Sequence, residues 1–212
     1  MARVWGAPTI IAAAPLRTVR PVMLEGRYAN PRKELARMRE AGQVVQIAPG
    51  TYTAKPDDIP SETAWRPALE EAAMAYATAQ YADRVPVLFG IGAARFHHAI
   101  PRAIGVTVIA VPEQHRPVTM TDGGRIVFTT TDVDRLEARY ERGRIGSFLV
   151  TTPEQTLLDL LDRPNLGGMP TEASAAAHAL AATVDRERMQ RLAAARTRVL
   201  RLKVHQLLAE EP

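Results

Sequence analysis

The sequence predicts an α+β protein in two parts, a small domain over residues 1–60 and a larger mixed α/β domain over 61–212 with a mostly antiparallel sheet and C-terminal helices. Three observations carry that prediction. Charge breaks along the chain: residues 1–55 hold nine basic groups against Glu25, Glu34 and Glu40, a net +6, whereas the remainder is −2. At the break lies Lys55-Pro56-Asp57-Asp58-Ile59-Pro60-Ser61, rich in proline and charge and without hydrophobic periodicity. Beyond it, apolar β-prone runs mix with helical patterns, and the chain closes on helices alone.

The clearest element of the first part is a helix from about Pro31 to Ala41. Asn30 stands at the N-cap, Pro31 at the first helical position and Gly42 just past the end. Leu35 and Met38 share one face, and Arg32, Lys33, Arg37 and Arg39 occupy the others. Gln43 to Ile47 and Thr51 to Thr53 read as two short strands joined by Pro49-Gly50. A helix followed by a hairpin is the back half of a winged helix-turn-helix domain. Ahead of it, Pro8–Ala14 and a short Leu24–Ala29 are the helix candidates.

In the second part, a helix is expected near Ala68–Tyr81, strands over Val85–Ile91 and Gly105–Val111, and a helical turn at Ala93–His98 between them. Pro117–Thr121 and Arg125–Thr130 flank the turn Asp122-Gly123-Gly124 as a hairpin, and further strands fall near Leu136–Tyr140 and Ile145–Val150. Thr152-Pro153-Glu154-Gln155 has the spacing of a capping box, with Leu157, Leu160 and Leu161 as the buried face of its helix. Two or three helices follow from Thr171.

Composition narrows the function classes. Hydrophobic residues at 46% and charged residues at 24% fit an ordinary soluble globular chain, large enough to need no covalent staple. The absence of cysteine removes disulfides, thiolate catalysis and cysteine zinc sites, and agrees with a reducing cytoplasm. Arg3 precedes the apolar Thr9–Ala14, but Pro8 and Pro15 flank that short core, which argues against a secretory signal. A pI near 9.7 makes a polyanionic partner plausible.

Catalytic and metal chemistry find little support. His97 and His98 are neighbours, about 100° apart on a helix, which is poor geometry for a ligand pair; they and His115 read as structural. Asp132 and Asp134 sit in a polar segment read as a solvated loop. Gly90-Ile91-Gly92 lacks the last glycine of a dinucleotide fingerprint, and Ser147 has no nucleophile-elbow context. A nuclease reading needs clustered carboxylates with a lysine, yet Lys203 is the only lysine beyond the linker.

Nucleic-acid chemistry does better. On a winged-helix reading Arg32, Lys33 and Arg37 reach base edges or phosphates, joined by Arg27 and Arg39, while the hairpin from Gln46 to Tyr52 tracks the backbone. A second basic stretch, residues 186–203, holds seven basic groups against Glu187 alone. Arg191, Arg198 and Arg201 are expected there on one helical stripe, opposite Met189, Leu192, Val199, Leu200 and Leu207, as a partner surface.

Three stretches resemble the AbiEi family, the antitoxin and transcriptional repressor half of certain bacterial toxin–antitoxin pairs. They are Gly42–Tyr52, Ala93–His98 with the strand Gly105–Pro112, and Val150–Pro164 closing at Gly167-Gly168; the last is the most specific. Residues 1–29 match loosely, and Gln155 stands where many relatives carry a basic residue. The resemblance implies a head that binds inverted repeats in its own promoter DNA and a body that supports neutralisation of a cognate nucleotidyltransferase-like toxin. The reading carries no cofactor, and the residues themselves argue against a metal site, an enzymatic activity and a membrane span. On this reading a fragment starting near Ser61 folds and neutralises alone. The other functional class compatible with the residues is a winged-helix transcription factor whose C-terminal part senses a small ligand.

Overall fold

The computed structural model describes residues 7–60 and 62–210, so Arg3 and Ser61 lie outside the described residues. The chain is a mixed α+β protein with two sheets. None of the helices among those residues is long and apolar enough to cross a membrane.

The smaller sheet belongs to the head. A single turn, α1 (Thr9–Ala12), precedes β1 (Thr18–Val19), a 3-10 turn over Pro21–Leu24 and α2 (Pro31–Glu40); β2 (Val44–Ala48) and β3 (Thr51–Ala54) then form the hairpin. Strand order is β1-β3-β2, all antiparallel. The expected helix over Leu24–Ala29 is instead the tighter Pro21–Leu24 turn: Glu25 is extended at ψ 141° and Gly26 follows at a positive φ of 77°, so no helix runs on through them. Helix α2 starts as its caps predict: Asn30 Oδ1 accepts from the Lys33 amide at 3.1 Å, and Gly42 leaves the helix with φ 69°. Ile11, Val19, Leu24, Leu35, Met38, Val44 and Ala54 form the head's own core.

The larger sheet has six strands in the order β6-β7-β5-β4-β9-β8. These are β4 (Val87–Phe89), β5 (Val106–Val111), β6 (Val118–Thr119), β7 (Arg125–Thr130), β8 (Ala138–Arg142) and β9 (Ser147–Thr151). The sheet is mixed: three of its five pairings, β4 with β5, β6 with β7 and β8 with β9, are antiparallel, including the hairpin expected around Asp122–Gly124. The longest ladder, β5 on β7, is parallel, and so is β4 on β9. Residues 112–124 form the crossover that parallel pairing of β5 and β7 requires, and β6 lies within it.

Both faces of the sheet are covered. On one lies α3 (Leu69–Tyr81), whose Ala72, Met74 and Tyr76 belong to one buried cluster with Leu88, Ile109, Val111, Phe148 and Val150 of the sheet. On the other, α4 (Gly90–Phe96), α5 (Pro153–Asp162), α6 (Pro170–Ala181), α7 (Arg186–Ala194) and α8 (Arg198–Glu210) gather over Val87, Phe89, Val108 and Ala110. Alternate residues of β4 and β5 thus enter opposite cores, which is why these runs carry no polar alternation in the sequence.

The apolar run expected as a strand through Ile91 turns helical at Gly90, whose φ is 52°. Gly92 sets how close that helix comes to the sheet. A Cβ on Gly92 would overlap Thr107 Oγ1 and stand 3.1 Å from the Val108 amide nitrogen, so the glycine lets α4 lie directly on β5.

The linker is pinned at both ends. The Lys55 ammonium is buried and donates to the carbonyls of Pro60 (3.2 Å) and Thr63 (2.6 Å). Arg17 donates to the Lys55 carbonyl at 2.9 Å and pairs with Asp57 at 2.7 Å. Arg20 reaches Gln80 of α3 at 2.6 Å, and the Thr121 amide donates to the Ile47 carbonyl at 2.9 Å. Leu16, Ile47 and Ala48 of the head belong to the same buried cluster as Met74 and Phe148. A fragment cut at Ser61 therefore loses apolar cover along α3, a cost that charge and linker composition do not reveal.

Gly92→Ala is expected to destabilise the protein by about 1–3 kcal/mol, the usual scale of overpacking. At this chain length that lowers Tm by roughly 2–4 °C per kcal/mol. An unchanged Tm would show that α4 lifts off β5 without strain.

Candidate nucleic-acid interface

The head gathers its cations around α2. With Leu35 and Met38 fully buried, the remaining faces of the helix carry Arg32, Lys33, Arg37 and Arg39 to the surface. Arg32 and Lys33 are in the first helical turn and, among the described residues, form no ion pair. Arg37 is bound to Glu34 at 2.5 Å, one turn back. That contact holds the Glu34 carboxyl below its ordinary range and the guanidinium above its own. Arg39 donates to Gln46 Oε1 at 2.9 Å, tying the end of α2 to the hairpin.

Gln46 and Tyr52 face each other across the β2–β3 ladder, and Tyr52 is half-buried against the head core. Arg27 is exposed in the turn between the Pro21–Leu24 segment and α2. Arg27, Arg32, Lys33, Arg37, Arg39, Gln46 and Tyr52 therefore all lie on the head. The hairpin is short: Pro49 and Gly50 are its exposed tip, while Ile47 and Ala48 back onto the larger sheet's core. Between the head and residues 62–66 lies a cleft of about 590 Å³, with Arg39, Gln46, Lys55, Trp65 and Arg66 among its walls.

The second basic stretch is arranged differently from its expectation. Helix α7 ends at Ala194 and α8 begins at Arg198, so Arg191 is on another helix and shares no stripe with Arg198 and Arg201. The break is a turn at 195–197, where Thr197 Oγ1 accepts from the Leu200 amide at 3.3 Å. Val199, expected on the apolar side, is 65% exposed, whereas Met189, Leu200 and Leu207 are buried. Several of the cations have structural duties. Arg188 pairs with Glu137, Arg191 with Glu187 at 3.7 Å, and Lys203 caps the Leu161 carbonyl at 3.0 Å.

The Thr152–Gln155 motif forms half of its capping box. Thr152 Oγ1 accepts from the Gln155 amide at 3.3 Å, but the Gln155 side chain points into the protein and the Thr152 amide donates to the Glu137 carbonyl. Gln155 Nε2 donates to Asp159 at 2.7 Å, and its Oε1 accepts from Arg196 at 3.1 Å. This relay fastens the turn between α7 and α8 onto α5. Burial pushes the Asp159 carboxyl well above the usual carboxylate range, against the Gln155 hydrogen bond and the charges of Arg196 and Arg163, and its second oxygen has no partner.

The histidines are placed by packing. His97 contacts the Thr151 carbonyl at 2.7 Å, and the His115 ring packs tilted against Phe128 at 4.4 Å between ring centroids. His98 is exposed at a positive φ of 62°, and Asp132 pairs with Arg135 at 3.0 Å. Among the described residues no group of three or more His, Asp or Glu is arranged to hold a metal ion.

These features define a mixed α+β protein with a basic helix–hairpin head. No family model matches the chain, and no curated protein matches it. Among solved structures, the crystal structure of the RV2827C protein from Mycobacterium tuberculosis is similar, with a TM-score of 0.56 over 97% of this chain and 83% of that one, at 19% identity. At that identity the likeness is one of fold.

A pKa raised by burial means the native state holds its proton more tightly than the unfolded chain. The contribution of Asp159 to stability is then full below the unfolded value of about 3.9 and is lost progressively as pH rises through the native one. Asp159→Asn keeps an acceptor for Gln155. It is expected to raise Tm at pH 8, on the scale of about 1–3 kcal/mol for one unsatisfied buried group, and to lose that advantage toward pH 4. Equal differences from wild type at both pH values would exclude the buried carboxyl as their origin.

Proposed function

We propose that the chain is the cytoplasmic antitoxin and autorepressor of a bacterial toxin–antitoxin pair, acting without a cofactor and without catalysis. In this reading the head is a winged helix-turn-helix that binds inverted repeats in its own promoter, and the body supports neutralisation of a nucleotidyltransferase-like toxin. The element order of the head, with β1 pairing to β3 outside the hairpin, supports the winged-helix part. The three AbiEi-like stretches support the rest.

The observation that carries the DNA-binding half is the position of Arg32 and Lys33. The N-terminal end of a helix bears the positive pole of its dipole, so cations in the first turn cost stability there while anions are favoured. Two exposed cations stand at that end; Pro31 has no amide hydrogen and Asn30 takes the Lys33 amide, so it is the two side chains, more than helix amides, that offer a place for phosphate. Arg37 and Arg39 extend it along α2 toward Gln46. The docked hairpin leaves Gln46, Tyr52 and the Pro49-Gly50 tip as its accessible contribution.

The cleft beside Arg39 and Gln46 favours a second reading, a transcription factor whose DNA contact is altered by a small ligand seated between head and body. A cognate toxin gene beside this one, and rescue from that toxin by this chain, separates the two.

Reversing charge at Arg32, Lys33 and Arg37 together is expected to weaken promoter binding and to flatten its salt dependence by about 0.9 log unit per lost phosphate contact. A folded triple variant with unchanged affinity and salt slope would remove α2 as the recognition helix. Glu34→Ala should act oppositely. Releasing Arg37 strengthens binding and steepens the slope by up to about one contact's worth, read by fluorescence anisotropy between 50 and 200 mM salt.

A further inference from the structure

The last two helices leave a groove of about 420 Å³ open between them. Its apolar lining is Ala193 and Ala194 from α7 with Val204, Leu208 and Ala209 from α8, and among the described residues no acidic side chain lines it. Arg186, Arg201 and His205 line it as well. On α8, Arg198 and Arg201 are spaced i and i+3 and His205 follows one turn on, so two guanidinium groups and a polar ring share one stripe along the edge. Leu202, 54% exposed, shares a second stripe with His205 and Ala209 and continues the apolar surface outward. Seven residues of helix span about 10 Å, so the groove takes roughly two turns of a partner helix.

We propose that this groove docks an acidic amphipathic segment of a protein partner. Small apolar side chains of that segment fill the space between α7 and α8, and its flanking carboxylates meet the arginine stripe. An apolar centre with a charged rim is the anatomy of a protein–protein contact, and a helix laid into a groove is a recurrent mode of it. The apolar lining argues against nucleic acid, whose interfaces are more polar. Charge selects the occupant: Arg186 and Arg201 line the groove and Arg198 stands one turn before Arg201 on the same helix, a positive rim that repels a basic segment and attracts an acidic one. The inference rests on neither half of the reading above, because groove and charge belong to α7 and α8 whether or not the head binds DNA.

The test uses the full chain, isotope-labelled for NMR, and two synthetic helical peptides of about fourteen residues, long enough to overhang the groove at both ends. Both carry leucine and alanine at i, i+3, i+4 and i+7; the flanking positions are glutamate in one and lysine in the other. The glutamate peptide should saturate shifts confined to amides of residues 186–209 and bind at least about ten-fold more tightly than the lysine peptide. Arg201→Glu and Ala209→Glu, both at exposed positions, should each weaken it about ten-fold, and Arg201→Glu should regain affinity for the lysine peptide. The proposal is overturned by equal affinities, by no saturable shift at millimolar peptide, or by shifts elsewhere on the protein. It is also overturned if a DNA duplex displaces the peptide from the same amides. A dimer formed without peptide and dispersed by Ala209→Glu assigns the groove to a second copy, with the same consequence.

Discussion

Burial of β4 and β5 on both faces is the constraint on which the rest of the structure depends. Val87, Phe89, Val108 and Ala110 enter one core, and Leu88, Ile109 and Val111 enter the other. Each face must be covered, so the fold needs α3 on one side and the α4–α8 group on the other. Gly92 makes the second cover possible by letting α4 touch β5. Helix α3, in making the first, becomes the platform on which the head rests through Leu16, Ile47 and Ala48.

Placement of the candidate surfaces follows from that arrangement. The head turns the buried side of its hairpin to the body and keeps α2 outside. At the far end of the chain, α7 and α8 share the core below α6 and are held by the Gln155–Arg196 contact, with their second faces left to solvent. Two basic regions thus stand on opposite ends of the chain's path for different local reasons. At α2 cations occupy the positive pole of a helix, and at α8 they border an apolar groove.

Much of this was legible in the residues. Asn30, Pro31 and Gly42 fixed α2 to within a residue because caps act locally, and Thr152-Pro153 did the same for α5. Sheet order was not legible. Strands as short as Val87–Phe89 contain no information about their neighbours, and hairpin-like spacing concealed the parallel pairing of β5 with β7. Gly90-Ile91-Gly92 could be dismissed as a nucleotide motif, but the close approach to Thr107 that Gly92 permits is a long-range fact. Arg191 was assigned to the wrong stripe because a three-residue turn between two helices leaves helical periodicity almost intact in the sequence. Thr197 was the available signal, as an N-cap residue ahead of Arg198.

A hydrogen bond from the Thr121 amide to the Ile47 carbonyl joins the hairpin turn region of the larger sheet to the β2–β3 hairpin of the head. An exposed residue of a short loop ordinarily exchanges its amide proton with solvent within seconds. Here that proton is retained only while the head stays seated, since the acceptor comes from the other part of the chain. Exchange at Thr121 faster than at the core strands is therefore a local clock for undocking.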